Sequence, residues 1–149
     1  MFSKLATFLP IIALVIFTAS LSAAAQKEPS FKSYRGIWIG MTKDAVRKAI
    51  GKPKDEFADE DDYEFSSDEI ARIFYNADQT VRAIVVVFSG DLRKAPTPLE
   101  VLAEDIEISA EGNAYKMIRF PDKGYWASYL RMGGDKPSIT VTVQFLPKT

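Results

Sequence analysis

The sequence contains no cysteine and no histidine. The first absence excludes disulfides, thiol catalysis, c-type haem attachment and a lipid anchor carried on cysteine. The two together exclude zinc sites of the Cys/His kind, and the second excludes every histidine-based triad. An excess of charge of one sign is lacking as well. Nineteen basic residues stand against 20 acidic ones, a net charge of −1 over 149 residues. Nucleic-acid binding usually needs a basic surface, so no nucleic-acid partner is expected. The chain has no Ser-x-x-Lys spacing, no Gly-x-Ser-x-Gly elbow, no phosphate loop and no dinucleotide fingerprint. Without histidine there are few ways to build a tuned general base. No catalytic residue, cofactor or metal site is assigned, and the chain reads as not an enzyme.

What is present is a folded domain with an address. Hydrophobic residues make up 47% and charged residues 26%, which fits neither a disordered chain nor a multispan membrane protein. Residues 1–25 read as a secretory signal. Lys4 gives a positive start. Residues 5–21 are apolar apart from Thr7, Pro10, Thr18 and Ser20, and Ser22-Ala23-Ala24-Ala25 follows. Ala23-x-Ala25 fits cleavage before Gln26. The alternative is an uncleaved anchor, but 17 apolar residues with a proline are short for a span, which needs about 20. The expectation is an exported, periplasmic or secreted protein. It has no integral span after cleavage, is not a lipoprotein, and consists of a single domain over residues 26–149. Gly90, Pro96 and Pro98 mark a seam that divides it into halves at 36–90 and 96–146.

Each half opens on a helix signal. In Gly40-Met41-Thr42-Lys43-Asp44, Thr42 can cap and Asp44 suits the positive end of the helix dipole. Val46, Ala49 and Ile50 share one face, Gly51 can stop the helix left-handed, and Pro53 prevents resumption. Thr97-Pro98-Leu99-Glu100 is a capping box with proline at the first helical position, and Val101, Leu102 and Ile106 supply its apolar face. Strands follow by alternation: one around Tyr63 and Phe65, then 70–75, 81–88, 114–120, 125–131 and 138–145. Turns are read at 76–79 and 121–124. The run Ile84-Val85-Val86-Val87-Phe88 suggests burial on both faces, whereas 138–145 alternates and should have one wet face. The fold class expected is α+β, two short helices packed on an antiparallel sheet. The order α-β-β-β runs twice. Thr42 and Val46 match Thr97 and Val101 at an offset of 55, and Phe88 matches Phe145 at 57. Two readings stay open, a tandem pseudo-repeat or two units alike by chance.

The string Gly40-Met41-Thr42, then Val46, then Gly51-x-Pro53, followed by an aromatic strand and a valine-rich strand, resembles the SmpA/OmlA (BamE-like) domains. These share their fold with the beta-lactamase inhibitory protein family. The resemblance covers residues 37–88, and residues 97–145 match in pattern alone. It implies a helical element against an antiparallel sheet, and a role in binding other proteins in the envelope. The outer-membrane assembly members are lipoproteins, and this chain has no cysteine to carry the lipid.

Two further features stand out. Residues 55–69 hold nine acids and no base, and the stretch reads as a solvated loop rather than a calcium site, since no Asp-x-Asp-x-Asn/Asp-Gly loop is present. The basic stretch Lys43, Arg47, Lys48, Lys52 and Lys54 is its complement. Aromatics cluster around one hairpin: Phe120, Tyr125, Trp126 and Tyr129, flanked by Arg119 and Arg131. On an extended strand, Tyr125, Ala127 and Tyr129 share one face, and Trp126, Ser128 and Leu130 the other. One face can meet a core. The other then offers aromatic surface to a partner, or is covered by a helix or loop. These six residues are the candidate partner-binding set, and Trp38 is expected in the core. The function expected is non-catalytic binding of another envelope protein. The rivals are a small-ligand or polysaccharide binder using the same aromatics and a carboxylate-dependent hydrolase. Oligomeric state is not readable from the sequence.

Overall fold

Thr42 caps the first helix with its hydroxyl, which accepts from the Ala45 amide at 3.3 Å, and α1 (Lys43–Ile50) starts there. Gly51 ends it at φ +89°, a value that disfavours a side chain, with its amide donating to the Arg47 carbonyl. The structure, a computed structural model, describes residues 27–147. The expected signal at 1–25 lies outside those residues.

After α1 the chain builds a meander. It comprises the two-residue β1 (Asp55–Glu56), then β2 (Glu60–Ser66), β3 (Glu69–Tyr75) and β4 (Val81–Ser89). The β3–β4 turn closes where Asp78 accepts from the Thr80 amide at 3.0 Å and Gln79 adopts φ +62°. Thr97 and Glu100 form the capping box at the start of α2 (Pro98–Leu102), each side chain accepting from the other's backbone amide. A second meander follows: β5 (Ala114–Phe120), β6 (Tyr125–Met132) and β7 (Ser138–Phe145). The two meanders join through β4 and β7, giving one seven-stranded sheet of order β1-β2-β3-β4-β7-β6-β5. Every pairing is antiparallel.

The α+β expectation is corrected here. Strand accounts for 43% of the structure and helix for 16%. The helices form no layer of their own. The second stops after five residues because Ala103 turns left-handed at φ +62°, which leaves Ile106 in the following loop instead of on a helical face. The halves share the meander and little else. Helix α2 packs on β6, whereas α1 is held to β2 through a buried ion pair, and β1 has no counterpart.

One face of the sheet is packed. Register places Tyr63, Ala71, Val86, Val141 and Tyr129 in one row across five strands, with Asp61, Ile73, Ile84, Val143 and Ala127 in the next. Val46 of α1, Val101 and Leu102 of α2, and Tyr34 and Ile37 of the N-terminal segment close over this face. That segment is fastened by Glu69, which accepts from the Tyr34 hydroxyl at 2.6 Å and from Arg35 Nε at 2.9 Å and Nη2 at 3.0 Å. The Arg35 hydrogen bonds hold the Glu69 carboxyl below the usual carboxylate range. Both helices therefore lie on one side. β4 differs from expectation for the same reason: Ile84, Val86 and Phe88 are buried, while Val85 and Val87 point to the other side and stay partly exposed.

Candidate functional site

The acidic stretch is not a loop. It folds into β1 and β2, and the alternation that buries Tyr63 also buries Asp61 completely. Arg47 of α1 donates to its two carboxylate oxygens at 2.9 and 2.7 Å, and the Tyr75 hydroxyl donates at 3.0 Å. Lys43 stands 3.6 Å away. Burial alone would raise the Asp61 pKa. The hydrogen bonds from Arg47 and Tyr75 outweigh it, so the group stays ionised below its ordinary value. The complementary basic stretch thus meets the acidic one directly, and Lys54 also pairs with Glu64. Every polar contact of Asp61 is internal, which makes it a staple between α1 and the sheet. Its sequence signal was its period-two spacing from Tyr63. Among the described residues, no group of three or more acidic side chains converges as a metal site.

The six candidate partner-binding residues do not converge. Phe120 and Tyr129 are buried in the core, and this corrects their assignment as partner contacts. Tyr125 shares their face and is half-buried, with its ring 5.2 Å from Phe120. Arg131 pairs with Ile139 on that same packed side. Trp126 and Arg119 pair with each other across β5 and β6 on the opposite, open side.

That open side is the larger feature. Three cross-strand rows run over it. The first is Glu60, Phe74, Ala83, Gln144, Trp126 and Arg119. The second is Asp62, Arg72, Val85, Thr142, Ser128 and Met117. The third is Glu64, Ile70, Val87, Thr140, Leu130 and Tyr115. At ~4.8 Å between strands, each row spans about 24 Å. Ile70 is 42% exposed and Tyr115 66%. Acids lie on β2, Val85 and Val87 on β4, the polar Gln144, Thr142 and Thr140 on β7, and Trp126, Leu130, Met117 and Tyr115, beside Ser128 and Arg119, on β6 and β5. Burial pushes the Glu60 carboxyl up, helped by its neighbour Asp62.

Comparison with protein-family models finds no match, and neither does comparison with curated proteins. Among solved structures, a DUF4309 family protein (YjgB) from Bacillus subtilis subsp. subtilis str. 168 is similar. It is 18% identical over 74% of this chain and 83% of its own, with a TM-score of 0.48. A likeness of that size assigns this chain neither a family nor an activity.

On the packed side, a cleft of about 320 Å³ opens between the N-terminal segment and the β6–β7 end of the sheet. Phe31, Trp38, Ile39, Tyr125, Val143 and Phe145 form its walls. Trp38 is 52% exposed, which corrects its expected place in the core. Ile37, which closes the 34–37 turn, takes the fully buried position, and Trp38, which opens the next turn through its carbonyl to the Met41 amide, lines the cleft instead. No local pattern signals this cleft, because its walls come from residues about a hundred positions apart.

Proposed function

We propose that this chain is an exported, non-catalytic protein-binding module of the bacterial envelope that docks its partner on the open sheet face around Trp126. The observation that carries the reading is the one-sided packing of a seven-stranded sheet. Both helices and the N-terminal segment lie on one face, and among the described residues the other is left with an aromatic and aliphatic patch on β5 and β6, Trp126, Leu130, Met117 and Tyr115. Exposed apolar patches mark interaction sites in soluble domains. Tryptophan and tyrosine anchor such interfaces at low entropic cost. Arg72 lies 3.7 Å from both Glu60 and Asp62, and Lys54 pairs with Glu64, so the acids of β2 are matched within the chain and docking falls to the β5–β6 patch. Export rests on residues 1–25, and the resemblance of residues 37–88 to BamE-like domains points to the same compartment.

The test is a crosslinking pull-down of the tagged chain from the native envelope fraction, with Trp126→Ala and Trp38→Ala beside it. The reading expects one dominant protein. It is lost with Trp126→Ala and kept with Trp38→Ala, which alters the opposite side. Trp126→Ala should cost about 1 kcal/mol of stability, as a partly exposed residue does. A partner retained by Trp126→Ala refutes the docking face. A stability loss of about 3–5 kcal/mol would instead make Trp126 a core residue.

A further inference from the structure

The cleft on the packed side has a chemistry of its own, separate from the open face. Its walls are aromatic and aliphatic, and two of its largest side chains stay wet, Trp38 at 52% exposure and Phe145 at 40%. Its volume of about 320 Å³ lies at the small end of the range for ligand pockets. Its charged groups are two ammonium ions at the rim, those of Lys32 and Lys123. Both are bridged by one carboxylate, that of Glu28, which accepts from Lys32 Nζ at 2.8 Å and also pairs with Lys123. Hydrogen bonds from Lys123 and then Lys32 hold the Glu28 carboxyl down at about 2. The chain therefore places its own carboxylate between two cations at the mouth of an aromatic slot.

We propose that this cleft binds a small amphipathic carboxylate, with its apolar body against Trp38, Tyr125 and Phe145 and its carboxylate between Lys32 and Lys123. In that pose the ligand's head group replaces Glu28. The exchange conserves the ion pairs and removes apolar wall from water, so the hydrophobic term drives it. Glu28 acts as an internal competitor, and it releases readily because the pairs it makes are at the surface and weak. A saccharide fits the site poorly. Its hydroxyls need several neutral donors and acceptors placed around the ring, and the side chains that wall this slot are aromatic and aliphatic.

The test uses decanoate as the probe and decan-1-ol as its neutral counterpart, on the folded chain. Binding is measured by calorimetry, and the two tryptophan indole N–H signals are followed by NMR. Decanoate should bind saturably, with half-saturation below about 1 mM. It should shift the Trp38 indole and leave the Trp126 indole, on the opposite face, in place. Decan-1-ol, which leaves Glu28 in place, should bind the unaltered chain about as well, and the Glu28→Gln chain about threefold to tenfold more weakly than decanoate does. Glu28→Gln should tighten decanoate by about threefold to tenfold, the reverse of what loss of structure would do. Adding Lys32→Gln and Lys123→Gln to Glu28→Gln should bring decanoate down to the level of decan-1-ol. The proposal is overturned if decanoate binding is not saturable, if it equals that of decan-1-ol in the Glu28→Gln chain, or if it ignores the lysines. A shift at Trp126 in place of Trp38 overturns it too.

Discussion

Replacing Asp61 by asparagine tests how the first helix is held. Asp61 is fully buried, and its oxygens accept from Arg47 at 2.9 and 2.7 Å and from Tyr75 at 3.0 Å. Removing one partner of a buried pair costs about 3–5 kcal/mol, because the other charge is left uncompensated. Two features of the site lower that figure. The Arg47 side chain is 31% exposed and keeps Glu56 at 3.5 Å, so its charge is partly solvated and partly paired after the change. The asparagine carbonyl can still accept from Tyr75. The expected loss is about 2–3 kcal/mol, or about 8–12 °C in melting temperature for a domain of this size. The pH dependence supplies the decisive check. The folded-state pKa of Asp61 lies below its unfolded value, so its contribution is fully present above the unfolded pKa. It is lost as pH falls through the lowered value. Melting curves of the two chains should therefore differ by a constant amount from pH 6 to 8, begin to converge below about pH 4, and meet only below the lowered folded value, where the protonated acid resembles the amide. A difference under about 0.5 kcal/mol at pH 7, or one that persists unchanged into acid, refutes the staple.

Two smaller changes probe backbone contacts. A Cβ on Gly133 would sit 1.8 Å from the Glu111 carbonyl oxygen, so Gly133→Ala should destabilise by about 2 kcal/mol or more in urea titration. An unchanged midpoint would mean that residues 111–113 do not press on the end of β6. Thr97→Ala removes the hydroxyl that accepts from the Glu100 amide and should lower stability by about 1 kcal/mol by thermal melting. A larger loss, above about 3 kcal/mol, would indicate that Thr97 does more than cap α2.

The aromatic hairpin shows how far one strand can be read. Alternation along β6 divides Tyr125, Ala127 and Tyr129 from Trp126, Ser128 and Leu130, because side chains on an extended strand must alternate. It cannot say which set meets the core. That choice follows from pairing: Tyr129 lies opposite Val141, which lies opposite Val86, and the helices cover that row. The candidate set was chosen by nearness in sequence, so it mixed both faces. Asp61 was hidden for a related reason. Nine acids among residues 55–69 look solvated by composition, and only the approach of Arg47 across 14 residues makes burial of one of them tolerable.

The sequence by itself determined the local elements. The Thr42 and Thr97 caps, the Gly51 stop, the turn at 76–79 and the strand at 138–145 all formed where short-range chemistry requires them. Those signals depend on residues within a few positions of one another. Tertiary structure decided the rest: the joining of two meanders through β4 and β7, the placing of both helices on one face, and the cleft between Trp38 and Phe145. Each of these depends on contacts between residues far apart in the chain, which local propensity does not encode. Among the described residues the open face is left over because α1 and α2 both pack on the other side.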